Sequence, residues 1–386
     1  MIQITDKSRC CGCETCVQAC PQQCITLHPD SEGFSYPQVD LHTCIQCNLC
    51  EKVCPVLHPY DEQKPLEVLA AINKEEEVRM ASSSGGIFTL LAEYVIQKGG
   101  VVFGVCFDKQ WKAIFDYAET NEEIKAFRGS KYLQAYVGNS FVVCKQMLED
   151  GRDVLFSGSP CQIAGLKHFL GKPYPNLLTV DFICHGVPSP QVWLHYLKEV
   201  TKHGRKTITD IQFRDKRLGW ERFCLMLKYS KHGRSQTRLS PHYLDPYMQA
   251  FLSNLILRPS CYSCAAKKGR SHADITMADF WNIKKIDSTM SDGKGTSLVM
   301  IHTSKGNAAL RREKIKWISA SYKDAQIFNS AVDIPVPMHP LRKDFFASFC
   351  EDVNLHQLIT YYLSPTVRQR IKNVLYPFWV KVLLRK

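Results

Sequence analysis

The chain of 386 residues is marked first by what it lacks. No run of 18 apolar residues occurs, which at the level of sequence excludes a bilayer-spanning helix. The start, Met1 to Cys10, has no basic-then-apolar secretion pattern, so a cytoplasmic protein is expected. The Gly-x-Gly-x-x-Gly dinucleotide fingerprint is missing, as is any recognisable nucleic-acid motif. There is no low-complexity segment. With 45% hydrophobic and 22% charged residues, the chain can bury ordinary cores and disorder is not the default. At about 150 residues per domain, two or three domains are expected.

Cysteine is what the chain has in excess: 18 residues, ten of them between Cys10 and Cys54. A disulfide scaffold does not fit this length without a secretion signal, and clustered thiols in a cytosolic chain point to metal. The pattern is a repeat. Cys10, Cys13, Cys16, Cys20 and Pro21 recur as Cys44, Cys47, Cys50, Cys54 and Pro55. Cys-x2-Cys-x2-Cys-x3-Cys-Pro is the bacterial ferredoxin spacing, in which the fourth cysteine ligates the other cluster. One 4Fe-4S cluster is therefore assigned to Cys10, Cys13, Cys16 and Cys54, and a second to Cys44, Cys47, Cys50 and Cys20. Zinc, which takes four tetrahedral ligands as separated pairs, fits two complete runs poorly. Cys11 and Cys24 fall outside the pattern and read as small core residues. The formal charge, 49 basic against 37 acidic residues or +12, must be read with this in mind. Two clusters at roughly −2 each would lower it to about +8, so the charge does not argue for a nucleic-acid partner.

Residues 1–60 thus read as a ferredoxin-like α+β two-cluster domain. The stretch from His58 to Pro65 is polar and proline-bounded and reads as a linker, which sets the linker of the domain division at 61–66. Beyond it, strands and helices alternate: a strand over Leu66–Ile72, a helix over Gly86–Lys98, a strand over Val101–Phe107, a helix over Ser140–Glu149. The clearest unit is a strand at Asp153–Phe156, a helix opened by Ser159-Pro160, a strand at Leu177–Ile183 and a helix opened by Ser189-Pro190. This order predicts a parallel pair and a larger α/β domain. Helix is also predicted over Tyr247–Leu257. Two clusters beside an α/β body suggest a converter between one-electron and two-electron chemistry, which a flavin performs.

Several short motifs, in order, resemble the coenzyme F420 hydrogenase/dehydrogenase beta-subunit family. They are Ser82-Ser83-Ser84-Gly85-Gly86, Arg128-Gly129-Ser130-Lys131-Tyr132, Ser157-Gly158-Ser159-Pro160-Cys161-Gln162, Asp181 through Pro188, Arg214-Asp215-Lys216 with Gly219-Trp220, and Ala278-Asp279-Phe280-Trp281. Together with the cysteine segment they cover roughly residues 1 to 305. The resemblance implies an FAD-binding iron–sulfur oxidoreductase with a family N-terminal flavin-binding region at 67–150 and a C-terminal region at 151–330. The remaining residues, 331–386, lie outside the resemblance and read from their own pattern as a helical basic tail. It does not imply that coenzyme F420 itself is used.

On this reading the flavin-contacting residues are Ser83, Ser84, Gly85 and Gly86 before a helix, where backbone amides and helix polarity favour an anion; Arg128, Gly129, Ser130 and Lys131; and the strand-end loop Ser157, Gly158 and Ser159. Lys131 is a candidate to stabilise charge on the reduced ring or deliver a proton, and His185 is a candidate proton donor. Cys161 and Cys184 leave successive strands at what would be one sheet edge. With Cys261 and Cys264 they are candidates for a third 4Fe-4S cluster; the alternative is a zinc-binding or idle late pair and two core thiols. Arg214, Lys216 and Trp220 are candidates to line a substrate pocket. The stretch from Ser364 to Lys386 holds six basic and no acidic residues and suits either peripheral membrane contact or docking on its own domain. Three functions remain open: electron transfer between a ferredoxin-type donor and an organic substrate through clusters and FAD; an electron-transfer subunit of a larger complex; and a scaffold with structural clusters.

Overall fold

The computed structural model describes residues 1–202, 204–231 and 233–364. The first segment pairs two antiparallel strands, β1 (Ile25–Pro29) and β2 (Ser35–Val39). Two one-turn helices, Thr15–Gln18 and Leu49–Lys52, each carry the third cysteine of a set. Each follows a residue in the left-handed region, Glu14 at φ 62° and Asn48 at φ 58°. That reversal lets a short loop turn successive sulfurs to one side. The segment's own core is little more than Ile2, Cys24, Ile25 and Cys50, too small to hold a fold by burial alone.

In chain order the body adds β3 (Glu67–Asn73), β4 (Val101–Phe107), β5 (Ala113–Ala118), β6 (Val154–Ser157), β7 (Leu177–Phe182), β8 (Thr207–Asp215), β9 (Cys224–Lys231), β10 (Arg234–Pro241), β11 (Ile275–Asp279), β12 (Ser297–Ile301) and β13 (Ile315–Ala320). Eight of these form one sheet in the order β13-β3-β12-β11-β7-β6-β4-β5. Its centre, β11-β7-β6-β4, is parallel, and the strands on either side are antiparallel. The helix Pro160–Leu170, opened by a Ser159–Gln162 capping box, crosses from β6 to β7. The remaining three strands form an antiparallel sheet, β10-β9-β8.

Alternation along the central strands fills two cores. Val101, Phe103, Val154, Phe156 and Leu177 face one side, with the helix Pro190–Val200 and β8–β9 packed over them. Val102, Leu155, Leu178 and Val180 face the other, under the helix Ile87–Ile96. Burial on both faces explains why these strands read as continuous apolar runs. The helix expected over Tyr247–Leu257 is shorter, Pro246–Leu252, because Asn254 enters the left-handed region at φ 64°. Strands β10 and β13 carried no sequence signal, since edge strands expose side chains and need no apolar alternation. The described part of the C-terminal region is built into the body: Leu355 and Ile359 of the helix Leu355–Leu363 join the main core. The basic run, residues 365–386, lies outside the described residues. No helix among the described residues is long and apolar enough to cross a membrane.

The linker region is laid against the body. Tyr60 stacks between His168 and His272, with ring centroids 4.4 and 4.7 Å away, and Glu62 pairs with Lys268 and Arg270. The first segment docks through buried polar contacts. Glu14 accepts the backbone N–H groups of Val137 and Gly138, both at 3.0 Å, and Glu32 forms a forked ion pair with Arg342.

Candidate functional site

The two N-terminal cysteine sets interleave. Cys20 lines one cavity with Cys44, Cys47 and Cys50. Cys54 lies with Cys10, Cys13 and Cys16: burial raises the Cys16 thiol pKa, and the neighbouring Cys13, Cys10 and Cys54 push it the same way. Cys24 is not an isolated core thiol. Its sulfur stands 3.4 Å from that of Cys20, on the wall of the Cys44 cavity. Among the described residues no three His, Cys, Asp or Glu side chains are grouped for a single metal ion. A tetrahedral zinc would draw its sulfurs to about 3.8 Å of one another; a four-iron cube is larger than one ion and needs its thiols set further apart around a void.

A second thiol-lined cavity lies where the first segment meets the body. Cys161, Cys184, Cys261 and Cys264 all face it, and so does Cys11. Each comes from a different cause. Cys161 sits in the first turn of the helix after β6, Cys184 follows β7, and Cys261 and Cys264 belong to a 3-10 turn and its end. Gly186, at φ +144°, brings the Cys184 loop in: a Cβ there would stand 3.3 Å from Cys261 Cβ and 2.8 Å from a Leu257 methyl. Hydrogen bonding from Cys11, and also from Ser159, holds the Cys161 thiol down to about 7 against its burial. Burial pushes Cys261 up to about 12, where the Val187 N–H reaches its sulfur at 3.4 Å. Such a donor would stabilise a negative sulfur.

Beyond this chamber opens a cavity of about 660 Å³, within the range of small-molecule sites. It lies at the carboxyl ends of the parallel strands β4, β6 and β7, the usual ligand edge of such a sheet. Ser83, Ser84, Gly86, Arg128, Gly129, Ser130, Lys131, Ser157, Gly158 and Ser159 line it, together with His185. Gly85 does not. It is pressed behind the wall, where a Cβ would fall 2.4 Å from the Ala71 carbonyl oxygen, and its N–H is taken by Ser297 Oγ. The loops are cross-braced: Ser83 Oγ accepts the Ser130 N–H at 2.8 Å. Lys131 Nζ donates to the carbonyls of Ala126 and Arg128, and burial lowers its pKa to about 7.

The substrate-lining candidates divide. Arg214 faces the cavity, clamped by Asp279 at 2.7 and 3.1 Å. Lys216 is instead a buried pin, donating to the carbonyls of Arg79, Ser84 and Lys294. Trp220 is buried against Trp281, with rings 4.7 Å apart, and it is Trp281 that lines the cavity. Two buried nitrogens on the wall, Arg214 Nε and His185 Nε2, have no hydrogen-bond partner among the described residues. With Arg128 and Lys131 they suit a large ligand carrying both phosphate and a polar ring. Ser159, Gln162, Cys184, His185, Gly186 and Val187 belong to the walls of both the thiol chamber and this cavity. Sequence reasoning missed Arg258 and Gln134, which carry no motif and act between elements far apart in the chain.

An α/β body with a docked segment of interleaved cysteine sets defines an iron–sulfur protein. Comparison with known proteins gives the family. Residues 68–141 match the N-terminal part, and residues 151–321 the C-terminal part, of "Coenzyme F420 hydrogenase/dehydrogenase, beta subunit", and residues 9–57 match a 4Fe-4S dicluster domain. The chain belongs to the coenzyme F420 hydrogenase/dehydrogenase beta-subunit family. One relative, a component of the F(420)H(2) dehydrogenase of Methanosarcina mazei, is 22% identical over 162 residues, 40% of this chain and 46% of that protein. The 7Fe ferredoxin of Hydrogenibacillus schlegelii is 42% identical over 48 residues, 12% of this chain and 55% of that protein. The chain thus spans about half the length of the curated relatives it matches. A structure of the F420-reducing NiFe hydrogenase complex of Methanosarcina barkeri overlaps 81% of this chain and 92% of its own, with TM-score 0.44 and 17% identity.

Proposed function

We propose that the protein passes electrons between a ferredoxin-type partner and an organic substrate, through two 4Fe-4S clusters in the first segment, a third held by Cys161, Cys184, Cys261 and Cys264, and FAD in the large cavity. The observation that carries this reading is the shared wall: Cys184 to Val187 separates a chamber lined by thiols from a cavity lined by cations and Ser/Gly loops. FAD, when bound, exchanges single electrons for two-electron reduction of substrate. The residues do the rest. Arg128 would hold a diphosphate, with Ser83, Ser84 and Gly86 on the same wall beside it. Arg214, fixed by Asp279, offers Nε to a ring oxygen or nitrogen. Lys131 Nζ, held near neutrality by burial, can give or take a proton at working pH. His185, kept neutral by burial, donates or accepts from Nε2.

Protein purified without oxygen should contain about 12 irons and one extractable flavin, and a reduced low-potential ferredoxin should bleach the flavin band. Iron-loaded protein without flavin, and with none taken up on reconstitution, would refute the reading. Cys261→Ser with Cys264→Ser should lower iron to about 8 and leave flavin content unchanged. It should slow flavin reduction through the ferredoxin donor at least a hundredfold, while direct chemical reduction stays as before.

A second reading is an electron-transfer subunit that turns over only inside a larger complex. It is favoured by the surface around the Cys44 set, where Cys47 is exposed beside Leu41 and Ile45, 66% and 60% exposed, and by a relative that is itself named a dehydrogenase subunit. Turnover of the isolated chain with an electron donor and a reducible substrate would set this reading aside.

A further inference from the structure

Arg258 is the largest fully buried charged side chain among the described residues, at 0% exposure. It sits where the first segment meets the body. Nε donates to the Cys10 carbonyl at 2.7 Å, Nη1 to Gln134 Oε1 at 2.8 Å, and Nη2 to the Ser35 carbonyl at 3.0 Å and to Cys10 Sγ at 3.4 Å. Its guanidinium lies 4.4 Å over the Tyr36 ring. Gly12 makes room for it, since a Cβ there would stand 2.9 Å from Nη1. The backbone holds it from the other side: the Arg258 N–H donates to Val187 O, and Arg258 O accepts the Cys261 N–H.

Among the described residues no carboxylate pairs with Arg258 at salt-bridge distance; the ion pairs of the molecule lie elsewhere. Glu14 feels it only at longer range, with its oxygens already committed to Val137 and Gly138. A guanidinium buried without counter-charge is strongly disfavoured. The acidic groups around it are the Tyr36 phenol and thiols from both sides of the contact: Cys10 of the first set, and Cys11, Cys161 and Cys261 of the chamber.

Resting on the cluster reading above, we propose that Arg258 is a positioning residue whose fixed positive charge raises the reduction potentials of both the Cys10-set and the Cys161-set clusters and brings them close enough for electrons to cross from segment to body. The clusters' negative charge is in turn what balances the buried cation. Charge and hydrogen bonds near the sulfurs are established levers on such potentials. The Cys44-set cluster, outside this contact network, serves as the internal control.

The test is an EPR-monitored redox titration of the anaerobic full-length protein. Arg258→Gln should shift two of the three midpoints to more negative values and leave the Cys44-set midpoint in place. Arg258→Lys, which keeps the charge, should restore most of the shift. Because Arg258→Gln can fail to fold, Gln134→Glu provides an independent arm: a carboxylate placed beside an intact Arg258 should produce the same two negative shifts. Fully loaded protein, with about 12 irons, whose midpoints do not move in Gln134→Glu or Arg258→Gln overturns the proposal. Wild-type protein with about 8 irons and no third signal instead ends the cluster reading on which it rests.

Discussion

At the scale of single residues, the docking of the cysteine segment reverses an ordinary rule. Replacing a mid-helix glycine by alanine normally stabilises a helix by about 1 kcal/mol. Gly165 lies within the helix Pro160–Leu170, but a Cβ there would stand 2.4 Å from Thr15 Oγ1 and 3.3 Å from Cys13 Sγ. Gly165→Ala should therefore destabilise by about 1–3 kcal/mol and lower the iron content. An anaerobic melt showing a higher Tm at full iron would contradict this. His302 gives a pH signature. Burial depresses its pKa to about 4, with Asp274 opposing, so the folded protein stays unprotonated where the unfolded chain takes a proton. Stability is lost as pH falls from about 6.5 toward about 4, by up to about 3 kcal/mol. Asp181, raised to about 6 by burial, acts in the opposite sense, and both meet Thr276 Oγ1, at 2.5 and 2.9 Å. His302→Gln isolates the first effect: relative to the parent it should gain stability as pH drops from 6.5 to 5 in urea or thermal melts. A constant difference would sink the assignment.

At the scale of elements, the helix Ser140–Glu149 has no cap of its own, because the Asn139 side chain makes no capping bond. The cap comes from the first segment. Gln18 Oε1 takes the N–H groups of Phe141 and Val142 in the first turn, and Glu14 takes those of Val137 and Gly138 just before the helix, fixing its entry. Losing such caps costs about 1 kcal/mol each. Glu14→Ala with Gln18→Ala should lower Tm and open the 58–66 stretch to limited proteolysis; unchanged cleavage would show that docking relies on other contacts. The elements themselves were largely legible. The runs Val101–Phe107 and Ser140–Glu149 appear with the bounds the periodicity gives, since a strand buried on both faces and an amphipathic helix each leave a strong local pattern. β10 and β13 do not, because an edge strand is fixed by the neighbour it joins.

At the scale of the whole molecule, the thiol chamber shares a wall with the large cavity at the carboxyl edge of the parallel sheet, and the Cys44 set carries an exposed thiol, Cys47. A partner delivering electrons would meet the apolar rim at Leu41 and Ile45. Ile45→Asp should change stability by no more than about 0.5 kcal/mol and weaken coupling to a ferredoxin donor several-fold, while chemical reduction stays unaffected. Equal rates with the donor would move the contact elsewhere.

The sequence by itself determined the eight early ligand candidates and the alternating α/β body, while the loops around the cavity were recognised through their likeness to the family's motifs. These are local codes: a fixed spacing, a period, a glycine or serine at a strand end. Only the tertiary structure decided which thiols share a chamber, that Cys11 joins Cys161, Cys184, Cys261 and Cys264, that Lys216 and Trp220 brace the frame while Arg214 and Trp281 face the cavity, and that Arg258 stands between the two sets. Such choices depend on which surfaces meet when elements hundreds of residues apart are packed together, and burial and charge at those contacts have no local period to announce them.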